Sequence, residues 1–370
     1  MSDAYVVSAV RTPVAKAFKG GFRNTRPDDL LAHVIREAMA EVPEIDGSMV
    51  EDVIVGCAMP EAEQGMNVAR IGSLLAGLPD SVPGVTVNRF CSSGLQTVAM
   101  AADRIRLGEA DVMIAGGTET MTMVPMMGHK VAMNPNVFED DNIAIAYGMG
   151  ITAEKVSEKY GVSRKDQDEF GYKSHQKAIA AIDGGEFTEI RPYTVVSHQP
   201  DFNSGAIREI ETVIDTDEGP RRDTTPEALG KLRTVFRADG TVTAATSSQM
   251  SDGAGFSVAG VPPELMGIGP IAAIPKVLEQ TSIAKNDLDW IELNEAFAAQ
   301  ALAVIRNVEL DPDKVNPLGG AIALGHPLGA TGAVLSAKII HGLRRRKQRY
   351  GMVTMCIGTG MGAAGIFEAL

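Results

Sequence analysis

The chain has 370 residues, of which 45% are hydrophobic and 22% are charged, and its formal net charge is -13. This composition predicts a globular protein with one large or two linked cores and excludes a disordered chain. The charge argues against non-specific nucleic-acid binding, because no general basic surface is available for phosphates. Three widely spaced cysteines without a CxxC pair indicate neither a disulfide framework nor a zinc site. No uninterrupted apolar stretch approaches the roughly 20 residues needed to span a bilayer, and the N-terminus has no signal-peptide pattern, which predicts a cytoplasmic protein.

The first 117 residues alternate between strand and helix patterns. Strands are predicted over residues 5–10, 53–57 and 112–116, and helices over residues 28–39 and about 67–76. Such alternation is typical of an α/β layer with a largely buried, mixed sheet.

Cys91 follows a strand-like run over residues 85–90 and precedes a helical pattern over residues 95–107. This junction places a thiol at a helix N-terminus, where free N–H groups and the helix dipole favour the thiolate. The alternative interpretation is a small buried side chain without chemistry. Cys57, at the end of an earlier strand, has no comparable surroundings and is predicted to be core.

Residues 118–240 differ from the first segment in composition. They contain charged helical stretches over residues 151–160 and 164–184, and their connections are rich in Pro, Asp and Gly. We interpret this segment as an insertion that covers a site. It carries one basic cluster, formed by Arg221, Arg222, Lys231, Arg233 and Arg237. The cluster could receive a phosphorylated ligand despite the acidic chain, because charges are screened over about 8 Å; the alternative is a solvated surface.

The last third again reads as α/β, with strands over residues 290–293, 352–356 and 363–368 and a helix over residues 295–306. His326 lies in a glycine-rich run that leads into a helix ending near residue 341. Cys356 ends a strand before a glycine-rich turn. Two cysteines and a histidine, each beside conformationally free backbone, indicate acyl transfer through a thioester.

Seven stretches in order along the chain resemble the motifs of the thiolase family, in its acetyl-CoA C-acyltransferase (3-ketoacyl-CoA thiolase) branch. They are residues 88–95, 116–121, 248–253, 260–263 (Gly-Val-Pro-Pro), 294–297 (Asn-Glu-Ala-Phe), 316–332 and 356–362. The resemblance implies an α/β fold of five layers, αβαβα, built from two similar halves with an inserted loop domain. It places the N-terminal half at residues 1–255, with the loop domain at about 118–240, and the C-terminal half at 256–370. It also implies a homodimer or homotetramer.

The same resemblance implies roles for individual residues. Cys91 corresponds to the nucleophile and Cys356 to the general acid and base. His326, with Asn294 acting through a water, corresponds to one oxyanion site, and the N–H groups of Cys91 and Gly358 correspond to a second. Ser248 and the Arg221 region correspond to contacts with coenzyme A, which is a co-substrate, so that no permanently bound cofactor and no metal are expected. For Asn294 the alternative is a cap of the helix predicted to start near residue 295.

The implied reaction is thiolytic cleavage of a 3-ketoacyl-CoA, as in fatty-acid β-oxidation. The segment over residues 147–150 has glycine where short-chain biosynthetic members typically carry histidine. Together with residues 260–263 and 356–360, this favours the degradative branch. Condensation of two acetyl-CoA molecules is the near alternative, and a noncatalytic acyl-CoA or lipid carrier is the remote one. Chain length and a hydratase/dehydrogenase partner stay open.

One departure from the family concerns the stretch between Gly255 and Phe256. The family carries a further strand and helix there, on the order of 20 residues, comparable to a crossover unit. Either this stretch is omitted from the sequence, or the protein has lost an edge element near the join of its two halves. We expect an omission, because deletion would remove core packing.

Overall fold

A computed structural model describes residues 3–139, 141–201, 205–253 and 263–370. The helices of the described ranges are α1 (Pro27–Ala40), α2 (Val68–Leu75), α3 (Ser93–Arg106), α4 (Met149–Tyr160), α5 (Arg164–Asp183), α6 (Pro226–Gly230), α7 (Gly269–Thr281), α8 (Ala298–Val308), α9 (Ala321–Leu324) and α10 (Thr331–Arg346). The strands are β1 (Ala15–Lys16), β2 (Asp52–Gly56), β3 (Gly84–Val87), β4 (Met113–Gly117), β5 (Glu119–Thr120), β6 (Tyr193–Pro200), β7 (Ile207–Ile214), β8 (Ser251–Gly253), β9 (Trp290–Leu293), β10 (Tyr350–Ile357) and β11 (Met361–Glu368).

The first sheet has the order β3-β2-β4, and all its strands are parallel. The central strand β2 is apolar at consecutive positions because helices cover both of its faces. Val53, Ile54 and Val55 are at most 1% exposed. Leu31 and Ile35 of α1 pack on one face of the sheet together with Val68 of α2, while α3 packs on the other.

The second sheet has the order β11-β10-β9, with β9 parallel and β11 antiparallel to β10. Ile274 of α7 and Val304 of α8 pack on its outer face against Ile291. Its inner face meets α10, where Ile339 packs against Val353.

Helices α3 and α10 pack against each other between the two sheets, and Leu95 of α3 shares one core with Leu335 of α10. The layers therefore run α1/α2, first sheet, α3/α10, second sheet, α7/α8. This arrangement confirms the five-layer α/β fold. Within the described ranges, no helix is long and apolar enough to cross a membrane.

The chain between β5 and β8 holds α4, α5, the β6-β7 hairpin and α6. Helix α5 packs on α8 and α9, which brings this segment over the end of the second half. Strand β8 returns between β1 and β5 in a small antiparallel sheet. The boundaries of the loop domain and of the two halves remain a prediction.

The strand predicted over residues 5–10 is wrong: these residues form no strand. They border a groove of about 980 Å³ together with β4 and β11. Tyr5 is 63% and Val7 is 59% exposed there. Strand β4 pairs with β2 along one edge, and no described strand pairs with its other edge. The junction between Gly255 and Phe256, where we predict an omission, lies outside the described residues.

Candidate active site

Cys91 lies in a single 3-10 turn, Phe90–Ser92, between β3 and α3. Ser93 fixes this turn, because its Oγ accepts from the Arg89 N–H at 2.8 Å and donates to the Phe90 carbonyl at 2.7 Å. The Cys91 side chain is buried in an apolar cluster with Met121 and Leu328. The junction lies where the sequence predicts it, and helix α3 starts two residues after the cysteine.

The helix N-terminus does not by itself make Cys91 a thiolate. Burial raises the pKa of Cys91 to about 11, and the N–H groups of Gly358 and Cys91, which hydrogen-bond its sulfur, offset only part of that rise. Removal from water costs the charged form more free energy than the helix terminus returns. The thiol is therefore protonated at neutral pH.

Cys356 is the penultimate residue of β10 and is fully buried. The chain then turns through Thr359 and Gly360, both at positive φ, into β11. Burial, together with the nearby Cys91 sulfur, raises the pKa of Cys356 well above its usual range. The Phe90–Ser92 turn packs against β10, and a Cβ built on Gly358 would lie 3.7 Å from the Phe90 ring, so the Cys91 turn and the end of β10 are neighbours.

His326 follows Gly325, whose φ of 105° is a conformation that glycine readily adopts. Its backbone N–H donates to the Gln249 carbonyl at 2.9 Å. The imidazole Nε2 lies 3.4 Å from Asn294 Nδ2, and Nδ1 lies 2.6 Å from Thr331 Oγ1. Burial lowers the pKa of His326 to about 4, so the ring is neutral at pH 7.

Asn294 directly follows β9, and its N–H donates to the Thr354 carbonyl at 2.9 Å, which joins it to the Cys356 strand. The capping alternative is wrong, because α8 starts at Ala298 with Phe297 as its N-cap residue. The buried Asn294 Oδ1 has no hydrogen-bond partner among the described residues. A free acceptor at this point is what holding a substrate-side water requires.

Glu295, the residue after Asn294, fixes this part of the chain through its buried carboxylate. The sequence analysis did not assign it a role. Its carboxylate accepts from Ser174 Oγ at 2.6 Å, Asn316 Nδ2 at 2.9 Å and the Ile322 N–H at 3.2 Å. These bonds connect β9 to α5 and to the segment that leads into His326. The signal in the sequence was a glutamate inside an apolar stretch, where a buried carboxylate needs several donors.

Glu119 is a second residue that sequence analysis missed. Its Oε2 accepts from the N–H of Ala58 at 2.7 Å and of Gly329 at 2.9 Å, and Gln64 donates to Oε1. Desolvation raises the pKa of this fully buried carboxyl. Glu119 thus connects the end of β2 to the loop that follows His326.

The two predicted coenzyme A contacts lie in different surroundings. The Ser248 N–H donates to the Ala296 carbonyl at 2.9 Å, beside Asn294. The exposed Arg221 donates its backbone N–H to His175 Nδ1 at 3.2 Å. Within the basic cluster, Arg222 pairs with Asp183 at 2.5 Å and Arg237 with Asp239 at 3.2 Å, so neighbouring carboxylates neutralise part of its charge.

Two family models match this chain: the N-terminal domain of thiolase over residues 4–259 and the C-terminal domain of thiolase over residues 248–369. A 3-ketoacyl-CoA thiolase of Bacillus subtilis (strain 168) is 48% identical over 399 residues, which covers 100% of both chains. The peroxisomal 3-ketoacyl-CoA thiolase A of Mus musculus is 42% identical, covering 99% of this chain and 91% of its own. The Bacillus subtilis alignment of 399 residues exceeds the 370 of this chain, so that relative contains residues with no counterpart here.

Two solved structures match over the whole chain. The acetyl-CoA acetyltransferase of Bacillus anthracis is 37% identical with a TM-score of 0.88, and the alignment covers 100% of this chain and 99% of the other. The dimeric peroxisomal thiolase of Saccharomyces cerevisiae is 39% identical with a TM-score of 0.89, and the alignment covers 100% of this chain and 98% of the other.

Proposed function

Because the chain belongs to the thiolase family, we propose that it cleaves 3-ketoacyl-CoA with coenzyme A. The products are acetyl-CoA and an acyl-CoA two carbons shorter, as in fatty-acid β-oxidation. Full-length relatives that are 40–48% identical and named 3-ketoacyl-CoA thiolase support this activity. The observation that carries the proposal is the packing of the Phe90–Ser92 turn, which holds Cys91, against strand β10, which holds Cys356.

In the first half-reaction, the Cys91 sulfur bonds to the 3-keto carbon while its proton passes to the imidazole of His326. The bond between the second and third carbons then breaks, and its electron pair becomes the enolate of acetyl-CoA. The enolate oxygen accepts hydrogen bonds from protonated His326 and from a water held by Asn294. Cys356 gives its proton to the second carbon and becomes a thiolate, and acetyl-CoA leaves.

In the second half-reaction, the Cys356 thiolate removes the thiol proton of incoming coenzyme A. The coenzyme A sulfur attacks the acyl group on Cys91. The carbonyl oxygen of that acyl group accepts hydrogen bonds from the N–H groups of Cys91 and Gly358. The Cys91 sulfur leaves and recovers its proton from His326, which restores the resting enzyme. The raised pKa of Cys356 suits both steps, because its thiol keeps a proton to give and its thiolate is a strong base.

Ser248 and the Arg221 region receive the pantetheine and nucleotide parts of coenzyme A in this proposal. The bond of the Ser248 N–H to the Ala296 carbonyl, two residues after Asn294, supports this for the pantetheine part. We further propose a cytoplasmic homo-oligomer, a dimer or a tetramer, since one matched structure is described as dimeric.

A steady-state thiolysis assay tests the function. The protein should cleave 3-ketoacyl-CoA substrates of several chain lengths in the presence of coenzyme A. Cys91→Ser should lose activity by at least about a thousandfold, as expected when a nucleophile is removed. Cys57→Ser is the matched control, since Cys57 is also buried but contacts Glu119 at 4.0 Å, and it should remain active. Absence of thiolysis with every chain length would refute the proposal.

The biosynthetic direction is the second candidate, because one matched structure is an acetyl-CoA acetyltransferase. A comparison of kcat/KM for acetoacetyl-CoA and for a long-chain 3-ketoacyl-CoA separates the two. Exclusive use of the four-carbon substrate would favour the second candidate. A noncatalytic carrier would turn over neither substrate.

A further inference from the structure

We propose that Thr331 positions His326 for catalysis by holding its imidazole in the tautomer with the proton on Nδ1, which leaves the Nε2 lone pair to accept the Cys91 proton. The inference rests on the proposed function and assigns the atom that moves the proton. Thr331 itself contacts neither substrate nor the reacting atoms.

Thr331 is the first residue of α10, and its hydroxyl faces back toward His326. Its Oγ1 lies 2.6 Å from His326 Nδ1 and 3.1 Å from the Pro327 carbonyl oxygen. A hydroxyl has one proton and can accept through its lone pairs. With Nδ1–H as the donor to Oγ1 and the hydroxyl as the donor to Pro327, both contacts are hydrogen bonds.

The opposite side of the ring fits the same assignment. Asn294 Nδ2 lies 3.4 Å from His326 Nε2. In this orientation of the Asn294 amide its NH₂ group faces the ring and can only donate, so Nε2 accepts. The tautomer with its proton on Nε2 would place two donors face to face and would remove the Thr331 bond to Pro327. Each group in this chain therefore donates a hydrogen bond to the next: Asn294 donates to His326, His326 to Thr331, and Thr331 to the Pro327 carbonyl.

Burial makes this hydroxyl the determinant of the tautomer. His326 is 4% and Thr331 is 2% exposed, so bulk water does not supply the bonds to the ring. In low dielectric surroundings, a hydrogen bond to a chosen nitrogen sets the tautomer and stabilises the imidazolium. The imidazolium persists through the acyl-Cys91 intermediate, where the Thr331 oxygen still accepts from Nδ1.

The test compares Thr331→Val, which keeps the β-branched shape without the hydroxyl, with Thr331→Ser, which keeps the hydroxyl. Thr331→Val should lower kcat by about 10- to 100-fold with KM changed less than about threefold, in line with the loss of a partner that orients a catalytic group. Thr331→Ser should stay within about threefold of wild type in kcat. Thermal unfolding of both variants shows that each is folded.

The tautomer is read independently by ¹⁵N NMR of histidine-labelled protein, with the His326 signals assigned from a His326→Asn variant. In the wild type, Nδ1 should be protonated and Nε2 unprotonated at pH 7, and Thr331→Val should lose that distinction while Thr331→Ser keeps it. A wild-type ring protonated on Nε2, or a Thr331→Val enzyme with wild-type kcat, overturns the inference. If the wild type shows no thiolysis, the proposed function fails, whereas the NMR result still decides the tautomer.

Discussion

Burial keeps the reacting groups of this site uncharged at rest. The pKa of Cys91 is raised to about 11, that of His326 is lowered to about 4, and that of Cys356 is raised. Desolvation is the largest cause in all three residues. An ion pair therefore forms only when substrate binds and a proton moves, which limits oxidation and alkylation of the free enzyme.

The first prediction concerns the alkylation of Cys91 by iodoacetamide as a function of pH. Only the thiolate reacts, so the rate should keep rising through pH 9 and follow an apparent pKa near 11. The rate is measured by mass spectrometry of the peptide that contains Cys91, with Cys91→Ser as the background. A rate that levels off below pH 8 would contradict the buried, protonated thiol.

The motifs predicted the candidate reacting residues, but the sequence did not reveal the residues that surround them in the fold. The position of Cys91 before a helix predicted a thiolate, and the outcome depends on desolvation by residues far away in the chain. Glu119 was missed for the same reason, because it contacts Gly329 across 210 positions. Thr331 lies five positions after His326, and only the turn through Pro327 brings its hydroxyl to the ring.

Most secondary-structure elements were predictable because their apolar patterns are local. Helix α1 and strand β9 match the predictions closely, and the Cys91 junction falls where strand and helix patterns meet. Two predictions failed at positions that tertiary contacts decide. Residues 5–10 alternate like a strand yet have no described partner strand, and the helix predicted from Glu295 begins at Ala298 because Asn294 and Glu295 are held by the site.

The second prediction concerns Glu119, which connects the end of β2 to the loop before α10. Glu119→Ala leaves the N–H groups of Ala58, Met59 and Gly329 buried without their acceptor. Each orphaned donor costs about 1–3 kcal/mol, so the free energy of unfolding should fall by roughly 3 kcal/mol or more. Urea unfolding monitored by circular dichroism measures the loss.

The matched control is Glu109→Ala, since the side chain of Glu109 is 60% exposed and its contact with Arg104 spans 3.8 Å. That variant should change the free energy of unfolding by less than about 0.5 kcal/mol. Equal unfolding midpoints for the two variants would show that Glu119 does not hold the loops together.

At the scale of the whole molecule, the site exists because two α/β units pack through one shared helical layer. The first unit supplies Cys91 at the start of α3, and the second supplies His326 before α10 and Cys356 in β10. The alternation of elements predicted two such units. Their arrangement in five layers followed only from the resemblance, because periodicity does not specify which faces of two sheets meet.

The third prediction concerns the groove beside β4. Gly253 pairs with Glu119, just beyond the end of β4, so residues inserted after Gly255 would start next to the unpaired edge of that strand. The variant carries the corresponding segment of the Bacillus subtilis relative between Gly255 and Phe256, and this segment should bury Val6 and Val7. Because buried apolar surface stabilises the fold by about 25 cal/mol per Å², the melting temperature should rise by roughly 5 °C. Differential scanning calorimetry gives the melting temperature.

The control for the variant with the inserted Bacillus subtilis segment is an insertion of Gly and Ser residues of the same length, because it adds a flexible linker without an apolar strand. If both insertions melt at the same temperature, the groove is not the place of an omitted segment.

The central claim is that two sulfurs from different halves act on one substrate, with Cys91 carrying the acyl group. Rapid mixing with a 3-ketoacyl-CoA in the absence of free coenzyme A, followed by acid quench and peptide mass spectrometry, measures this most directly. We predict that one acyl group becomes attached to the peptide that contains Cys91 and that an equal amount of acetyl-CoA is released. In Cys356→Ala, the release of acetyl-CoA should be strongly slowed. Acyl label on another residue, or an unchanged rate in Cys356→Ala, would contradict the account.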